Sequence, residues 1–531
     1  MTLALIKNNI KPGCQHDSPI SAPPKIQMAT IPTISLDLLS SLPTTISLLF
    51  FSFTVAFSIF SFSLFLLRLN PCCNCSFCRA YLSSSWSSSF PNLSDWYTHL
   101  LSHSPTATLH LHVISNIVTA NPDNVQHILK SNFHNYPKGK PFSSILGDLL
   151  GHGIFNVDGH SWRFQRKMAS LELGSLSLRS HAFEILTTEI RSRLLPTMKG
   201  VGKTMEVVDL QDVFRRFSFD NICRFSFGLD PGCLRLWLPT SEFAVAFDLA
   251  SRLSAERAMA ASPIIWRIKK MMRVGSERKL REAIKMVDRL AMEVIRQRRK
   301  MGFSNRNDLL SRFMASTNDD RYLRDIVVSF LLAGRDTVAS ALTSLFWLLS
   351  QNPEVETEII SESDRIMGPD RDAVPSFDNL KEMHYLQAVV YENMRLFPPV
   401  QFDSKFAEED DILPDGTFVQ KGTRVTYHPY AMGRMDRIWG LDCLQFKPER
   451  WLKNGYFTPE NPFKFPVFQA GLRVCLGKEL AVMDVKCVAV VLIRKFKIRL
   501  AGTDRIARFA PGLTASWRGG LPVRIEERSN C

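Results

Sequence analysis

The stretch Phe468-Gln-Ala-Gly-Leu-Arg-Val-Cys475-Leu-Gly477 constrains this chain more than any other, because an apolar helical run (Leu480, Ala481, Met483, Val485, then Val488 onward) follows it at once. A short loop of aromatic and glycine residues thereby presents one cysteine. A thiolate stays ionised and metal-bound only with positive potential and backbone N–H donors nearby. Arg473 supplies charge, and the helix after Cys475 turns its N-terminal dipole toward the sulfur. Gly471 and Gly477 let the backbone approach a flat ligand. The competing reading is an inert buried thiol, the commoner fate of an isolated intracellular cysteine. The full spacing Phe-x-x-Gly-x-Arg-x-Cys-x-Gly weighs against it, since chance seldom meets that many fixed positions.

With Phe468, Gly471, Arg473, Cys475 and Gly477 in place, the loop resembles the haem-binding loop of the cytochromes P450. The resemblance implies that Cys475 is the axial thiolate of a haem b iron. Leu472 departs from the pattern, since many relatives carry proline there. Trp162 and Arg166 stand four apart and share a helical face. In the resembled family a Trp-x-x-x-Arg helix hydrogen-bonds the haem propionates; alone, the two read as a stacked surface pair. Arg163 and Lys167 point elsewhere, toward a partner.

Residues 326–350 are apolar almost all round, with Arg335 and Asp336 their only charges, which predicts a buried helix. Gly334 in its middle costs about 1 kcal/mol, and buried acid and hydroxyl groups need partners. Such violations belong to functional sites, although a packing glycine beside a surface ion pair has the same spelling. Ala333-Gly334-Arg335-Asp336-Thr337 matches the family's oxygen-activating motif, with Val338 where a second threonine often follows. The resemblance implies that Gly334 opens the helix for oxygen, while Asp336 and Thr337 hold water and pass protons.

Glu392 and Arg395 share a helix face that Pro398-Pro399 terminates. Glu293 with Arg296 and Glu362 with Arg365 have the same spacing and read as solvated pairs. The proline stop, and Phe446-Lys-Pro-Glu-Arg450-Trp further on, single out the Glu392 pair. The resemblance implies a buried brace of Glu392, Arg395 and Arg450, its surplus positive charge met by backbone carbonyls.

The remaining chain sets the compartment. Residues 1–45 lack periodicity and are expected to be disordered, with Met28 an alternative start. Residues 46–67 carry no charge; as a helix they span roughly 33 Å, about a bilayer's hydrocarbon thickness. A core helix is the alternative, but a run at a chain end has no core to enter, so a single membrane anchor is expected. Residues 68–94 read as a linker and 95–531 as one catalytic domain. Cys72, Cys73, Cys75 and Cys78 lack a second ligand pair at zinc spacing and read as free thiols, with palmitoylation the alternative. Eleven cysteines, irregular and odd in number, argue against a disulfide framework. A net charge of +14 is spread along the chain without a basic block, which disfavours nucleic acid and favours a membrane surface or an acidic partner.

Residues 109–113 and 117–120 read as a small hairpin, with His110 and His112 on a solvated face, and 423–427 as a strand. Residues 131–158 read as loop-rich and, with their apolar side chains, as a substrate entrance. Phe155, Phe330, Val400 and Phe402 are the expected substrate contacts.

The resemblance covers roughly residues 95–525 and implies a mainly α fold with smaller β-sheets, the cytochrome P450 fold, behind an N-terminal transmembrane helix. The implied reaction inserts one oxygen atom from dioxygen into an unactivated C–H bond. No flavin or nicotinamide fingerprint is present, so electrons must come from elsewhere; the resemblance implies NADPH as their source and a membrane-bound NADPH–cytochrome reductase as the donor. Residues 155–170, 397–405 and Tyr430-Ala-Met-Gly-Arg are similar to the plant fatty-acid ω-hydroxylases, particularly the branch that oxidises jasmonoyl–amino acid conjugates. In that family the anchor lies in the endoplasmic reticulum and the catalytic domain in the cytosol. A peroxide-rearranging relative and a non-catalytic haem sensor or carrier are the rival readings. The Asp336–Thr337 pair disfavours the former.

Overall fold

The computed structural model describes residues 44–69, 75–235, 241–260, 262–302, 308–502 and 506–528. The expectations for residues 1–43, including the start at Met28, and for Cys72 and Cys73, lie outside these. The chain forms two compact units, Met1–Arg79 and Ala80–Cys531.

The first unit holds one long helix, Thr44–Leu69. Residues 46–63 are apolar and none of them is buried. Its hydroxyls fold back onto the helix: Thr54 Oγ1 donates to the carbonyls of Phe50 (3.0 Å) and Phe51 (2.8 Å). Polar groups are thus paired within an otherwise apolar rod, as a lipid environment demands. The Cys78 N–H donates to Cys75 Sγ at 3.3 Å, and no metal-binding cluster occurs among the described residues.

The second unit is mainly helical with small sheets. Its centre is the run Asp320–Leu331, a π turn at Leu332–Asp336, and Thr337–Leu349. Gly334 interrupts regular winding, and the turn's Arg335 carbonyl takes a bond from Ser218 Oγ at 2.8 Å. The helices Leu210–Phe227, His384–Leu396 and Lys478–Lys495 pack on this run. A four-stranded sheet stands beside them in the order Thr108–Leu111, Asn116–Thr119, Arg424–Tyr427, Asp403–Phe406. Its middle pair is parallel and its outer pairs antiparallel. The expected hairpin is its first pair, with the His110 and His112 rings 3.8 Å apart.

Three expectations need correction. Residues 131–158 hold a helix, Gly139–Leu150. Gly139, at φ +73°, turns the chain where Asp158 accepts the N–H groups of Lys138 and Gly139, both at 2.9 Å. Leu146, Leu149 and Leu150 then bury one face, a periodicity hidden by the glycines around it. The stretch 75–94 is ordered structure: helix Ser76–Ser83 and a turn at Ser85–Ser88. Trp86 stacks on Trp96 at 6.3 Å, aromatic packing masked by the many serines. Glu362 is not solvated but buried, and accepts the N–H groups of Tyr385 (2.7 Å) and Leu386 (2.9 Å). It caps the first turn of the His384–Leu396 helix, a contact made across the fold. Glu293 and Arg296 do form an exposed pair at 3.2 Å.

Candidate active site

A cavity of about 660 Å³ opens between the central helix and the cysteine loop. Its wall includes Cys475, Phe468, Arg473, Gly477, Trp162, Arg166 and Thr337, and the four apolar residues Phe155, Phe330, Val400 and Phe402. Gly471 and Asp336 do not reach it.

The loop is pinned at both ends. The Cys475 N–H donates to the Phe468 carbonyl at 2.8 Å, and the helix Lys478–Lys495 starts directly behind. Cys475 lies deep in the molecule with its side chain accessible to the cavity. Burial pushes its thiol up, and the Gly477 N–H, Arg166 and Lys478 pull it back only in part. Nearby charge therefore does not ionise the sulfur by itself, contrary to the sequence argument; a coordinated metal cation does so outright. Gly471 is required for a reason other than ligand approach. It sits at φ +62° with the Leu129 carbonyl where a Cβ would stand. Gly477, at φ −88°, needs no special conformation.

Trp162 is buried, with the Arg473 guanidinium 4.6 Å from its ring. Arg473 Nη2 donates to Asp158 (2.6 Å) and the Val157 carbonyl (2.9 Å), leaving its buried Nε without a partner. Arg166 makes no hydrogen bond or ion pair among the described residues. An accessible sulfur facing apolar walls, with unpaired cationic N–H groups alongside, fits a flat apolar ring that carries carboxylates and a thiolate-ligated iron.

The brace closes around Glu392. Its carboxylate accepts from Arg395 Nε (2.7 Å) and Nη2 (2.8 Å), Arg450 Nε (2.9 Å), Trp451 Nε1 (2.9 Å) and the Lys447 N–H (2.9 Å). Surplus positive charge meets the carbonyls of Gly433, Cys443 and Gln445, and Asp442, which lies 3.2 Å from Arg450. Asp442 and Trp451 are members that spacing alone did not reveal.

On the opposite wall Thr337 Oγ1 donates to the Ala333 carbonyl at 2.5 Å. The missing side chain of Gly334 is space taken by Ile222. Asp336 turns from the cavity toward buried Arg335, 3.1 Å away, and Arg335 also holds Asp248 at 2.6 Å. Burial raises the Asp336 carboxyl, with Arg335 opposing.

The cytochrome P450 family profile matches residues 97–515. The chain is a cytochrome P450. It is 63% identical to cytochrome P450 94C1 of Arabidopsis thaliana over 90% of this chain and 98% of that protein. It is 48% identical to cytochrome P450 94B1 of Arabidopsis thaliana, covering 83% and 88%, and 43% identical to cytochrome P450 94A1 of Vicia sativa, covering 82% and 87%. The P450 is thus a haem monooxygenase resembling the plant ω-hydroxylase branch.

Several wall residues of this P450 had no sequence signal. The turn between Phe509–Ala510 and Ser516–Trp517 dips into the cavity, bringing Leu513 and Thr514. Lys138 (2.5 Å) and Lys405 (3.3 Å) converge on Asp403. Burial works against the Asp403 charge, but the two lysines outweigh it and hold its carboxyl well below the usual range. Asp484, on the helix behind Cys475, also touches the cavity; its side chain accepts from Asn221 at 3.2 Å, and burial pushes its carboxyl up to about 7.

Proposed function

We propose that this P450 is a membrane-anchored monooxygenase that hydroxylates the terminal carbon of fatty acids or jasmonoyl–amino acid conjugates. The observation that carries the reading is the single cavity with Cys475 and Thr337 on facing elements and a largely apolar wall between them and the rim. A long apolar chain fits such a space end-on, its last carbon toward the sulfur.

Cys475 would ligate the haem iron, and Trp162, Arg166 and Arg473 would hold the propionates. Bound haem supplies the redox and oxygen chemistry, with the thiolate pushing electron density toward the iron. The protein's own part is placement and protons. Thr337 Oγ1, committed as donor to Ala333, retains lone pairs that accept from water in the cavity. Asp336, buried behind it, is a reserve of protons whose position Arg335 fixes. Phe155, Phe330, Val400 and Phe402 exclude bulk water and orient the chain.

Electrons come from NADPH through a membrane-bound reductase, with the catalytic unit in the cytosol and the anchor in the endoplasmic reticulum. The exposed apolar rod at 46–63 supports the anchor. On the catalytic unit, the helix Pro263–Met272 exposes Ile264, Ile265, Ile268 and Met271 beside Lys269 and Lys270, which suits an anionic lipid surface.

The test is reconstitution with reductase and NADPH on a panel of fatty acids and jasmonoyl conjugates, with products identified by mass. Terminal alcohols formed with NADPH consumption are expected. A rearranging enzyme consumes hydroperoxide without NADPH, and a sensor consumes neither.

A further inference from the structure

Six cationic side chains line the cavity: Lys138, Arg166, Lys405, Arg424, Arg473 and Arg518. Four are committed. Lys138 and Lys405 share Asp403. Arg424 donates to Ser404 Oγ (2.9 Å) and the Ala258 carbonyl (2.8 Å). Arg473 donates to Asp158. Arg166 and Arg518 have no acceptor among the described residues. Arg166 stands near Cys475, where the haem carboxylates account for it. Arg518 has no such explanation.

Its setting is the cavity rim. Arg518 directly follows the strand Ser516–Trp517, which returns from the cavity-lining turn. Trp517 is buried against Trp347 at 5.0 Å, so alternation sends Arg518 the other way, and it is exposed. Trp86, Pro91 and Asn92 share this part of the wall. Asn92 ties them to the hairpin, accepting from the Phe509 N–H and donating to the Ala507 carbonyl, both at 2.7 Å.

A second cation stands opposite. The Arg518 N–H donates to the Arg508 carbonyl at 2.7 Å, extending the register in which Phe509 faces Trp517. Arg508 is also exposed and has no side-chain partner among the described residues. Like charges directly opposed across a ladder destabilise it. Two such arginines, with no carboxylate paired to either side chain among the described residues, suit an anion.

We infer that Arg518, supported by Arg508, anchors the substrate's carboxylate at the rim. This rests on the proposed function, whose substrates are apolar chains ending in a carboxylate. Of the two acids on the cavity wall, Asp403 is neutralised by its lysines, and Asp484, pushed up to about 7 by burial, carries only part of a charge near neutral pH. An entering carboxylate therefore meets net attraction at the rim and apolar wall beyond it. Pinning that end at Arg518 leaves the far end to reach Thr337 and Cys475, so the rim cation sets which carbon is presented. Arg518 acts as a specificity residue and takes no part in the chemistry.

The test compares a fatty acid with its methyl ester, using holoenzyme, reductase and NADPH. Substrate dissociation constants come from the substrate-induced spin-state change of the haem, and product positions from mass spectrometry. In Arg518→Ala, binding of the acid weakens about twofold to fivefold, the range of an exposed charge pair. The ester is unaffected, kcat changes less than KM, and product spreads to in-chain carbons. Arg518→Lys restores much of the acid's affinity, and Arg508→Ala shifts it in the same direction by less. Added salt weakens the acid's binding to the parent more than to Arg518→Ala. Equal losses for acid and ester, or acid binding unchanged in Arg518→Ala, overturn the anchor while leaving the substrate class intact. If the parent forms no terminal product from any acid or conjugate, the proposed function fails first and the anchor falls with it.

Discussion

Glu392 and Arg395 are joined by two hydrogen bonds, at 2.7 and 2.8 Å, with neither side chain exposed at all. Every other partner of the pair lies between Gly433 and Trp451, so the pair fixes the segment leading into the cysteine loop. Glu392→Ala leaves the Arg395 charge buried without its carboxylate, and removing one member of a buried pair costs about 3–5 kcal/mol. We expect little folded, haem-loaded protein at physiological temperature, checked by the haem absorbance per mass of purified protein. Glu392→Gln keeps the shape but not the charge and should be nearly as damaging. Normal haem content in both variants would remove the brace from its role.

Cys475→Ala is expected to abolish the thiolate-ligated haem spectrum of the reduced, carbon-monoxide-bound protein. Among the described residues, no other cysteine lines the cavity. A spectrum unchanged from the parent would sink the assignment.

Thr337→Ala should keep haem and substrate binding yet uncouple NADPH use from product by about tenfold or more, since a positioned acid–base group typically contributes about 10²–10⁴-fold. Thr337→Ser retains the donor to Ala333 and should retain coupling. The ratio of product to NADPH consumed is the measurement, and equal ratios in all three proteins count against the role.

Asp484 gives a pH dependence of stability whose sign is fixed. Its folded carboxyl titrates near 7, above its ordinary value of 3.8, because burial penalises the charged form and Asn221 offsets little of it. The unfolded chain ionises first, so the contribution is fully present below about pH 4 and is lost as pH rises through 7. Asp484→Asn removes this dependence. Its melting temperature relative to the parent should climb steadily from pH 5 to pH 8, and a constant difference would refute the shift.

Arg163 and Lys167 are both exposed and carry no ion pair among the described residues, on the same helix as Trp162 and Arg166. They suit docking of an acidic reductase surface, screened as the Debye length falls to about 10 Å at 0.1 M salt. Reversing both to Glu should raise the reductase concentration for half-maximal rate without altering substrate binding. A titration at low salt that matches the parent would remove this face from electron delivery.

Local spacing made much of the site legible. Trp162 and Arg166, Glu392 and Arg395, and the Phe468–Gly477 loop each lie within one or two turns of chain, where helical or loop geometry alone makes neighbours. Two of the expectations that changed depended on distant partners. Asp336 carries the family spelling, but it turns from the cavity to pair with buried Arg335, which also holds Asp248. Glu362 has the spacing of a solvated pair and instead caps a helix formed by residues far along the chain. The helix Gly139–Leu150 was hidden because Gly139, Gly147 and Gly151 read as breakers, whereas Gly139 and Gly151 stand at its two ends.

By itself the sequence determined which residue carries the sulfur, which runs are too apolar to face water, and which short motifs share a face. Those properties follow from covalent spacing and periodicity, which hold wherever a segment ends up. Only the tertiary structure decided which charges are spent. Lys138 and Asp403 are far apart in sequence and meet at 2.5 Å, while the side chain of Arg518, also a cation, meets no acceptor among the described residues. Burial decided the rest: the Cys475 thiol and the Asp484 carboxyl are both pushed up by surroundings assembled from separate segments. A charge's worth depends on what surrounds it in three dimensions, and topology alone sets those surroundings.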